Sequence, residues 1–426
     1  MTPTATPPTR TGATEKQAPT RAWATRLVVV GIVLAAMNLR PAITSLGALL
    51  EEVRDGLGMS GTLAGLLTSV PPLCFAFFGV MAPRLARRFG PSAVVCVGMA
   101  AIASGLVIRP FIGGTAGFLA GTALALAGIA VSNVLMPVIV KRWFPDRVGS
   151  MTGLYSMALA FGTSIAAAAT VPLTDGLGGH WQTGLAVWAV LAVVAVVPWI
   201  PLVRDRGTAA TEAPEHISPA VRQEDAGLRI THSRTAWALA VFFGLQATAA
   251  YITMGWMPQI FRDAGVPASE AGVLLAVTMA MGVPLAFVIP RVATRLTNQG
   301  PVVIVLGACG LAGYAGLYLA PAGGAWAWAL LLGISNCAFP LALTMVGMRA
   351  KSSVGVAKLS AFAQSTGYLI SIPGPLLVGV LYQHSGGWGL PIALMAALMV
   401  PQIVIGTLAG RNRTVEDEVA ARAAKA

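Results

Sequence analysis

Long, uninterrupted apolar segments dominate this sequence. An α-helix needs about 20 residues, at roughly 1.5 Å each, to cross about 30 Å of hydrocarbon. Twelve segments fit that length: 27–50, 60–82, 91–109, 115–140, 149–174, 183–203, 235–257, 268–289, 301–320, 324–348, 356–381 and 388–409. Because 56% of the 426 residues are apolar and 10% are charged, no water-soluble core could bury them. The sequence therefore predicts an all-α membrane protein with twelve transmembrane helices.

The basic residues predict the orientation of these helices. Of the 28 lysines and arginines, all but Arg40, Arg54, Arg109 and Arg262 lie in the termini or in loops that follow even-numbered spans. The positive-inside rule places those regions in the cytoplasm. We expect a multi-pass protein of the inner (cytoplasmic) membrane with both termini cytoplasmic. The net charge of +12 then reflects topology and contact with anionic lipid, and a nucleic-acid partner is not expected.

Polar segments divide the chain into five regions. Residues 1–25, rich in Thr, Pro and Ala, are predicted to be a disordered cytoplasmic tail. Residues 204–234 mix both signs of charge with Pro and Gly, which is typical of a cytoplasmic linker. The linker separates two six-helix bundles, 26–203 and 235–409, and residues 410–426 form a cytoplasmic C-terminal tail.

The two halves resemble each other in sequence. PRLARRF at 83–89 recurs as PRVATRL at 290–296, and SNVLMP at 132–137 recurs as SNCAFP at 335–340. Two shorter matches follow the same order at similar offsets, which indicates a duplication. Two parallel six-helix repeats, related by an axis along the membrane normal, are the architecture of the major facilitator superfamily.

Three longer strings resemble one branch of that superfamily, the cyanate and 2-nitroimidazole permeases. They are NLRPAITSLGALL in the first span, SNVLMPVIVKRWFPDRVGSMTGLYS at 132–156 and PRLARRFG at 83–90. The resemblance covers about residues 26–409. It implies a secondary active transporter that moves a small anionic or polar solute, such as a cyanate-like anion or a nitroimidazole-like compound, by alternating access.

The loop between the second and third spans departs from the superfamily's usual pattern. Pro83 replaces the aspartate and Ala86 replaces the second glycine, so the usual gating contact of that aspartate is in doubt. The arginines of this loop and of its repeat could still bind helix carbonyls or lipid phosphate as gating residues. The alternative is that they only set the topology. The residues concerned are Arg84, Arg87, Arg88, Arg291 and Arg295.

Arg40 lies within the first span, directly before Pro41. It is roughly 20 Å along the helix, near the bilayer midplane, where a cation costs a few kcal/mol. All 16 acidic residues map to loops, tails or helix ends, so no carboxylate lies at its depth. One interpretation is that its planar guanidinium binds a small anionic or strongly dipolar substrate. The other is that it donates to backbone carbonyls freed by Pro41, and the two are compatible.

Intramembrane amides form pseudo-symmetric pairs between the halves. Asn38 corresponds to Gln246, and Asn133 corresponds to Asn336. These residues lie on spans one, seven, four and ten, which line the central cavity in the superfamily, so we expect them to bind substrate. The alternative for each amide is a helix–helix hydrogen bond, worth about 1 kcal/mol. Four further residues are candidates for the walls of the substrate site: Tyr155, Ser156, Tyr251 and Gln364. For the two tyrosines, the alternative role is packing.

No catalytic or metal-binding constellation is present in the sequence. The four histidines and four cysteines are scattered without metal-ligand spacing, and no phosphate-binding loop follows a strand. We therefore predict a transporter and not an enzyme, without metal or cofactor, that works as a monomer on a small-molecule substrate.

The alternative function is a proton-coupled multidrug or metabolite exporter. Such exporters typically carry an acidic residue within the membrane, and this chain has none. Coupling to protons would need a titratable group in the cavity, and only residues near the outer surface, such as Glu51, Asp175 and His384, qualify.

Overall fold

A computed structural model describes residues 18–204 and 230–423, and these residues form helices joined by short turns. The first half contains α1 (Ala18–Asn38), α2 (Pro41–Ala48), α3 (Leu50–Leu57), α4 (Gly61–Phe89), α5 (Pro91–Ile108), α6 (Gly114–Trp143), α7 (Val148–Gly176), α8 (Trp181–Ala186), α9 (Trp188–Val196) and α10 (Trp199–Arg204). The second half contains α11 (Arg234–Asp263), α12 (Ala268–Ala280), α13 (Gly282–Arg295), α14 (Gly300–Leu319), α15 (Ala325–Asn336), α16 (Ala338–Met348), α17 (Ser353–Ser371), α18 (Pro373–Ser385), α19 (Gly389–Ala409) and α20 (Val415–Ala423).

The twelve predicted spans are confirmed, and five of them are divided between consecutive helices. Eleven stretches of the described residues are long and apolar enough to cross a membrane. The remaining span runs through α8, α9 and α10 in succession, and the linking residues Val187 and Val197 keep right-handed helical backbone angles. Pro198 follows Val197 and has no N–H to donate, so the helical hydrogen bonding is interrupted there.

Each half is a bundle of six membrane spans, in which small residues let helix backbones approach. Gly98 on α5 faces Gly128 on α6, and a side chain on either residue would collide with the carbonyl of the other. Lipid tails are as apolar as Leu, so close packing of this kind is what holds membrane helices together. The fold is that of two pseudo-symmetric six-helix bundles, as predicted from the duplication.

The helix ends lie on two faces of the molecule with different charge. We call the face at which α1 begins and α19 ends the basic face, because it carries most of the loop arginines and lysines. We call the opposite face the acidic face, after its carboxylates, which are Glu51, Glu52, Asp55, Asp175, Asp263 and Glu270.

The C-terminal helix α20 binds two helix starts on the basic face. Glu418 accepts hydrogen bonds from the Ser233 hydroxyl (2.7 Å) and from the Thr235 hydroxyl (2.8 Å) and N–H (3.1 Å), at the start of α11. Glu416 accepts from the N–H groups of Lys351 (2.9 Å) and Ser352 (3.2 Å), directly before α17. Carboxylates at helix N-termini are favourable because the orphan N–H groups there need acceptors. The tail therefore ties α11 to α17.

A buried arginine anchors the same tail. Arg349 is 1% exposed and donates from Nε to the Ala409 carbonyl (3.1 Å) and from Nη2 to the Gly410 carbonyl (2.8 Å) and to the Gln299 side chain. These bonds satisfy the carbonyls at the end of α19, where a cation also opposes the helix dipole favourably.

Two predicted regions fall largely outside the described residues. Residues 1–17 of the predicted N-terminal tail are not described, and α1 begins at Ala18, inside the predicted tail. Residues 205–229 of the predicted 204–234 linker are also not described. The helix within residues 410–426 was not predicted, because α20 is short and its sequence is strongly acidic at its start.

We expect Glu418→Gln to destabilise the fold by about 1–2 kcal/mol, the scale of hydrogen bonds to a charged group. Partial burial raises the pKa of the Glu418 carboxyl. The hydrogen bonds from Ser233 and Thr235 together lower the pKa by more than burial raises it, so the pKa lies below its usual range. A carboxylate with a depressed pKa stabilises the fold above its unfolded pKa, and this contribution is lost as the pH falls through the folded pKa. Thermal unfolding of both proteins from pH 7 down to pH 4 measures the difference.

The matched control is Asp417→Asn, which removes an exposed ion pair with Lys351 and should change stability little. A Glu418→Gln protein that is as stable as the wild type at pH 7 would contradict the proposed role of the tail.

Candidate functional site

The first span is interrupted at Arg40. Helix α1 ends at Asn38, and Arg40 has non-helical backbone angles, φ −132° and ψ −25°. Pro41 causes the break, because it has no N–H and its ring disfavours the helical conformation of the preceding residue. The Arg40 carbonyl then accepts from the N–H groups of Ile43 (2.9 Å) and Thr44 (3.1 Å), which starts α2. The loosened turn expected from the sequence is confirmed.

The Arg40 guanidinium lies against an aromatic ring and is not fully hydrogen-bonded. Its Cζ is 5.5 Å from the centroid of the Phe75 ring, a cation–π distance. Its Nη1 is buried and has no hydrogen-bond partner in the part of the chain that the structure describes. Within those residues, the guanidinium makes no hydrogen bond to a backbone carbonyl, so the interpretation in which it satisfies carbonyls freed by Pro41 has no contact to support it.

Tyrosines from the second half complete the surroundings of Arg40. The Tyr368 ring on α17 stacks on Phe75 with centroids 5.0 Å apart, and the Tyr251 ring on α11 is 6.4 Å from Phe75. The positive charge of Arg40 acts on Tyr251. The Tyr251 hydroxyl is buried and has no hydrogen-bond partner among the described residues. A cation from one half and a hydroxyl from the other are thus both available to a ligand.

Of this cluster, Tyr251 lines a narrow cavity that lies between the cluster and the acidic face, with room for about one water molecule. Its walls come from α2, α4, α6 and α11, that is, from both halves. They are mainly apolar, with hydroxyl groups from Thr68, Thr122 and Tyr251. Such a lining, apolar with a few polar groups, is typical of small-molecule sites.

The two halves are joined between this cavity and the acidic face. Trp256 Nε1 donates to Thr68 Oγ1 (3.1 Å), and Gln383 Oε1 accepts from the N–H and hydroxyl of Thr62 (both 2.8 Å). Closer to the surface, Arg262 forms ion pairs with two carboxylates at 2.7 and 3.0 Å. The carboxylates are those of Glu51 and Glu52. We call this set of contacts the acidic-face closure.

The predicted amides have different surroundings. Asn38 Nδ2 donates to the carbonyls of Leu34 (2.8 Å) and Leu191 (3.1 Å), a helix–helix hydrogen bond between α1 and α9. Gln246 Nε2 donates to Asn336 Oδ1 (3.3 Å). Gln246 and Asn336 both line a second small cavity, which lies inside the second half and not between the halves. Asn38 is therefore not brought together with Gln246 and Asn336.

The other predicted wall residues are dispersed. Asn133 on α6 is half-buried. Tyr155 and Ser156 are half-buried neighbours on α7, and Gln364 Nε2 donates to Ser360 Oγ (2.8 Å) in its own helix. Of the predicted substrate-binding residues, the structure places Arg40 and Tyr251 together beside one cavity.

The predicted gating arginines are all exposed on the basic face. Arg84 donates to the Val80 carbonyl of its own helix (3.5 Å), and Arg88 lies over the Phe89 ring (5.1 Å). No contact between the halves through Arg84, Arg87, Arg88, Arg291 or Arg295 occurs among the described residues.

Phe75 and the acidic-face closure were not predicted from the sequence. An aromatic residue that faces a cavity has no sequence feature that separates it from one that packs against a neighbouring helix. The acidic-face closure does have one indication in the sequence. The Arg-Asp pair at 54–55 recurs at 262–263, and neither arginine fits the positive-inside pattern.

Comparison with known proteins identifies the family. A family model for the Major Facilitator Superfamily matches residues 28–354. The chain belongs to this superfamily. The solved structure of the nucleoside transporter NupG is similar to it, with a TM-score of 0.71 at 13% identity over 91% of this chain and 98% of that one.

Three curated relatives cover most of the chain. The uncharacterized transporter YycB of Bacillus subtilis is 34% identical over 91% of this chain and 94% of its own length. The 2-nitroimidazole transporter of Escherichia coli is 30% identical, covering 91% and 96%. The cyanate transport protein CynX of E. coli is 29% identical, covering 88% and 94%. The fold and these relatives are those of transporters, and the predicted branch of the superfamily is confirmed.

We expect Arg262→Gln to weaken the acidic-face closure, because it removes both ion pairs that join α11 to α3. The pairs are partly exposed, so the loss should be about 1 kcal/mol, a several-fold shift toward the form open at that face. A cysteine introduced at Thr62 reports the change as faster labelling by a membrane-impermeant maleimide.

Asp175→Asn is the control, since it removes an exposed charge of the same face. Equal labelling rates in wild type and Arg262→Gln would show that the ion pairs do not hold the closure.

Proposed function

We propose that this chain carries a small monovalent anion, or a planar polar solute with two adjacent oxygens, across the cytoplasmic membrane as a secondary active transporter. The observation that carries the proposal is a pair of donors around Phe75, the Arg40 Nη1 and the Tyr251 hydroxyl, which have no hydrogen-bond partner among the described residues. Tyr251 also lines the cavity between the halves. Both groups are donors, and an acceptor-rich solute satisfies them together.

Electrostatics favours an anion at this position. A guanidinium buried without a carboxylate retains a large desolvation cost, which a bound anion offsets because the charges interact in a medium of low dielectric. The fork of the guanidinium matches two acceptors at a time, which a nitro group or a small oxyanion presents. The Phe75 and Tyr368 rings offer stacking surfaces to a planar substrate. The names of the relatives, a cyanate and a 2-nitroimidazole transporter, agree with this chemistry.

The alternative, an exporter of cationic drugs, lacks its usual partner group. The described carboxylates of the membrane region lie at the acidic face or at helix ends, and none lies beside the cavity. A cationic substrate would also be repelled by Arg40. The charge of the site therefore favours an anionic substrate over a cationic one.

The geometry supports an alternating-access cycle. With the acidic-face closure formed, Arg40 is separated from that face by the Thr68–Trp256 hydrogen bond and the Arg262 ion pairs. We infer that these contacts break when the site opens to the acidic face. In this proposal the basic face is cytoplasmic, and a single chain is the transporting unit.

Substitution of Arg40 tests the function. Arg40→Lys keeps the charge but loses the fork, so substrate affinity should fall by roughly 1–3 kcal/mol. Arg40→Gln should nearly abolish uptake without loss of folded protein, because removing an unpaired cation relieves a desolvation cost. Tyr251→Phe should weaken affinity less, by about 1 kcal/mol, since one neutral donor is lost.

The measurements are uptake of cyanate and of 2-nitroimidazole into proteoliposomes, together with thermal stability in detergent. Arg147→Gln on the basic face, where Arg147 is exposed, serves as the control for loss of an arginine charge. An Arg40→Gln protein that is less stable but binds substrate with unchanged affinity would rule out the proposed site.

A further inference from the structure

Arg109, at the end of α5, is a second buried arginine. It is 1% exposed, and its Nη1 donates to the Ala42 carbonyl (3.1 Å). Its Nε and Nη2 are buried without a hydrogen-bond partner among the described residues, and no carboxylate of that part of the chain pairs with it. The positive-inside pattern does not account for Arg109, because the residue lies on the acidic side of the membrane region.

The surroundings of Arg109 hold the guanidinium in a fixed position. Its Cζ is 5.8 Å from the centroid of the Phe118 ring, which meets Trp181 edge to face at 5.9 Å. Gly121 on α6 leaves room for Arg109, since a Cβ there would lie 2.7 Å from the Arg109 Cβ. The Arg109 side chain therefore packs against aromatic and backbone groups, and among these groups the Ala42 carbonyl is its one hydrogen-bond acceptor in the described part of the chain.

Two unpaired hydroxyls lie on the helices that contact Arg109. Thr122 is one helical turn from Phe118 on the same face of α6, and Ser45 is one turn from Ala42 on α2. Both side chains are buried, and neither hydroxyl has a hydrogen-bond partner among the described residues. Thr122 and Ala42 also line the cavity between the halves. Because Arg109 donates to the Ala42 carbonyl, its guanidinium lies next to the wall of that cavity.

A bound anion accounts for these unsatisfied groups. Two guanidinium nitrogens and two hydroxyls are all able to donate, and each buried donor without a partner costs about 1–3 kcal/mol. An uncompensated charge costs more than a neutral donor, so an anion satisfies the site better than an apolar filling would. The single positive charge and the tight packing limit the ligand to a small monovalent anion.

We propose that Arg109, assisted by the Thr122 and Ser45 hydroxyls, binds a small monovalent anion at a second site, separate from Arg40. Chloride and the transported anion share this chemistry. The site does not depend on Arg40, so it can exist whether or not the proposed transport function is correct.

The test is the thermal stability of the purified protein in sodium chloride, sodium cyanate and sodium gluconate at equal ionic strength. Gluconate is too large for the site and reports the effect of salt alone. A ligand that binds only the folded state should raise the melting temperature saturably, by about 1–2 °C when it contributes about 1 kcal/mol to a chain of this length. The proteins compared are wild type, Arg109→Gln, Arg40→Gln and Arg147→Gln.

An anion bound at Arg40 would also stabilise the fold, so the deciding comparison is made without that site, with the double variant Arg40→Gln/Arg109→Gln added. The proposal expects the anion-dependent rise in wild type, Arg147→Gln and Arg40→Gln, and its loss in the double variant. A rise with chloride identifies the common inorganic anion as a ligand, and a rise with cyanate alone identifies the transported type of anion. A rise that persists in Arg40→Gln/Arg109→Gln overturns the proposal, as does its absence from the wild type in both salts. A rise lost only in Arg40→Gln overturns the second site while supporting the first.

A direct measurement covers the case in which Arg109→Gln does not fold. Crystals of the wild-type protein soaked in sodium bromide should show an anomalous difference peak in hydrogen-bonding contact with the Arg109 guanidinium. A peak there supports the proposal, and a map with bromide elsewhere but none at Arg109 overturns it. Arg109→Lys, which keeps the charge with fewer donors, should retain a smaller rise in melting temperature.

Discussion

The central constraint on this molecule is the placing of an arginine cation in hydrocarbon without a carboxylate. Arg40 is half-buried within the first membrane span, and its neighbours include the Phe75 face and the Tyr251 hydroxyl, both neutral. Rings and hydroxyls reduce the desolvation cost without cancelling the charge. If Arg40 were paired with a carboxylate, its charge would already be balanced, and a bound anion would gain little electrostatic free energy. Because none of the described carboxylates lines the cavity, the proposed site remains able to accept an anion.

One helix links this site to the acidic-face closure. Helix α11 is continuous from Arg234 to Asp263 and carries Tyr251, Trp256 and Arg262 within about three turns. Because the helix is one rigid segment, a displacement that moves Tyr251 also moves the Thr68 hydrogen bond and the ion pairs to α3. Helices α4 and α18 come together through glycines, as a Cβ on Gly65 would lie 2.8 Å from the Leu376 carbonyl oxygen. Such small-residue contacts separate without exposing large side chains, which suits an interface that must open.

The sequence predicts this fold well, because hydrocarbon imposes the same demand on every span. Continuous apolar runs and the positive-inside pattern require no tertiary information, and Pro41 alone indicates the break at Arg40. The site is less predictable, because a polar residue on a membrane helix can face a cavity or a neighbouring helix with no difference in sequence. Asn38 and Arg40 are two residues apart, yet Asn38 bonds the Leu191 carbonyl and Arg40 lies by the cavity. Which group each side chain contacts depends on the rotation of its helix about the helix axis, and that rotation is determined by packing against neighbouring helices.

The duplication also explains why the cavity has one cation from this position. Thr248 occupies the position in the second half that corresponds to Arg40, and its hydroxyl donates to the Gly244 carbonyl (2.9 Å) of its own unbroken helix. The residue after it is Ala249, not proline, so no turn is loosened there. With one guanidinium at the site, a monovalent anion leaves the bound complex neutral. A divalent anion would leave one uncompensated charge in a medium of low dielectric, at a cost of several kcal/mol. If Arg109 holds its own anion, each cation is balanced separately, and the preference for a single negative charge at Arg40 is preserved.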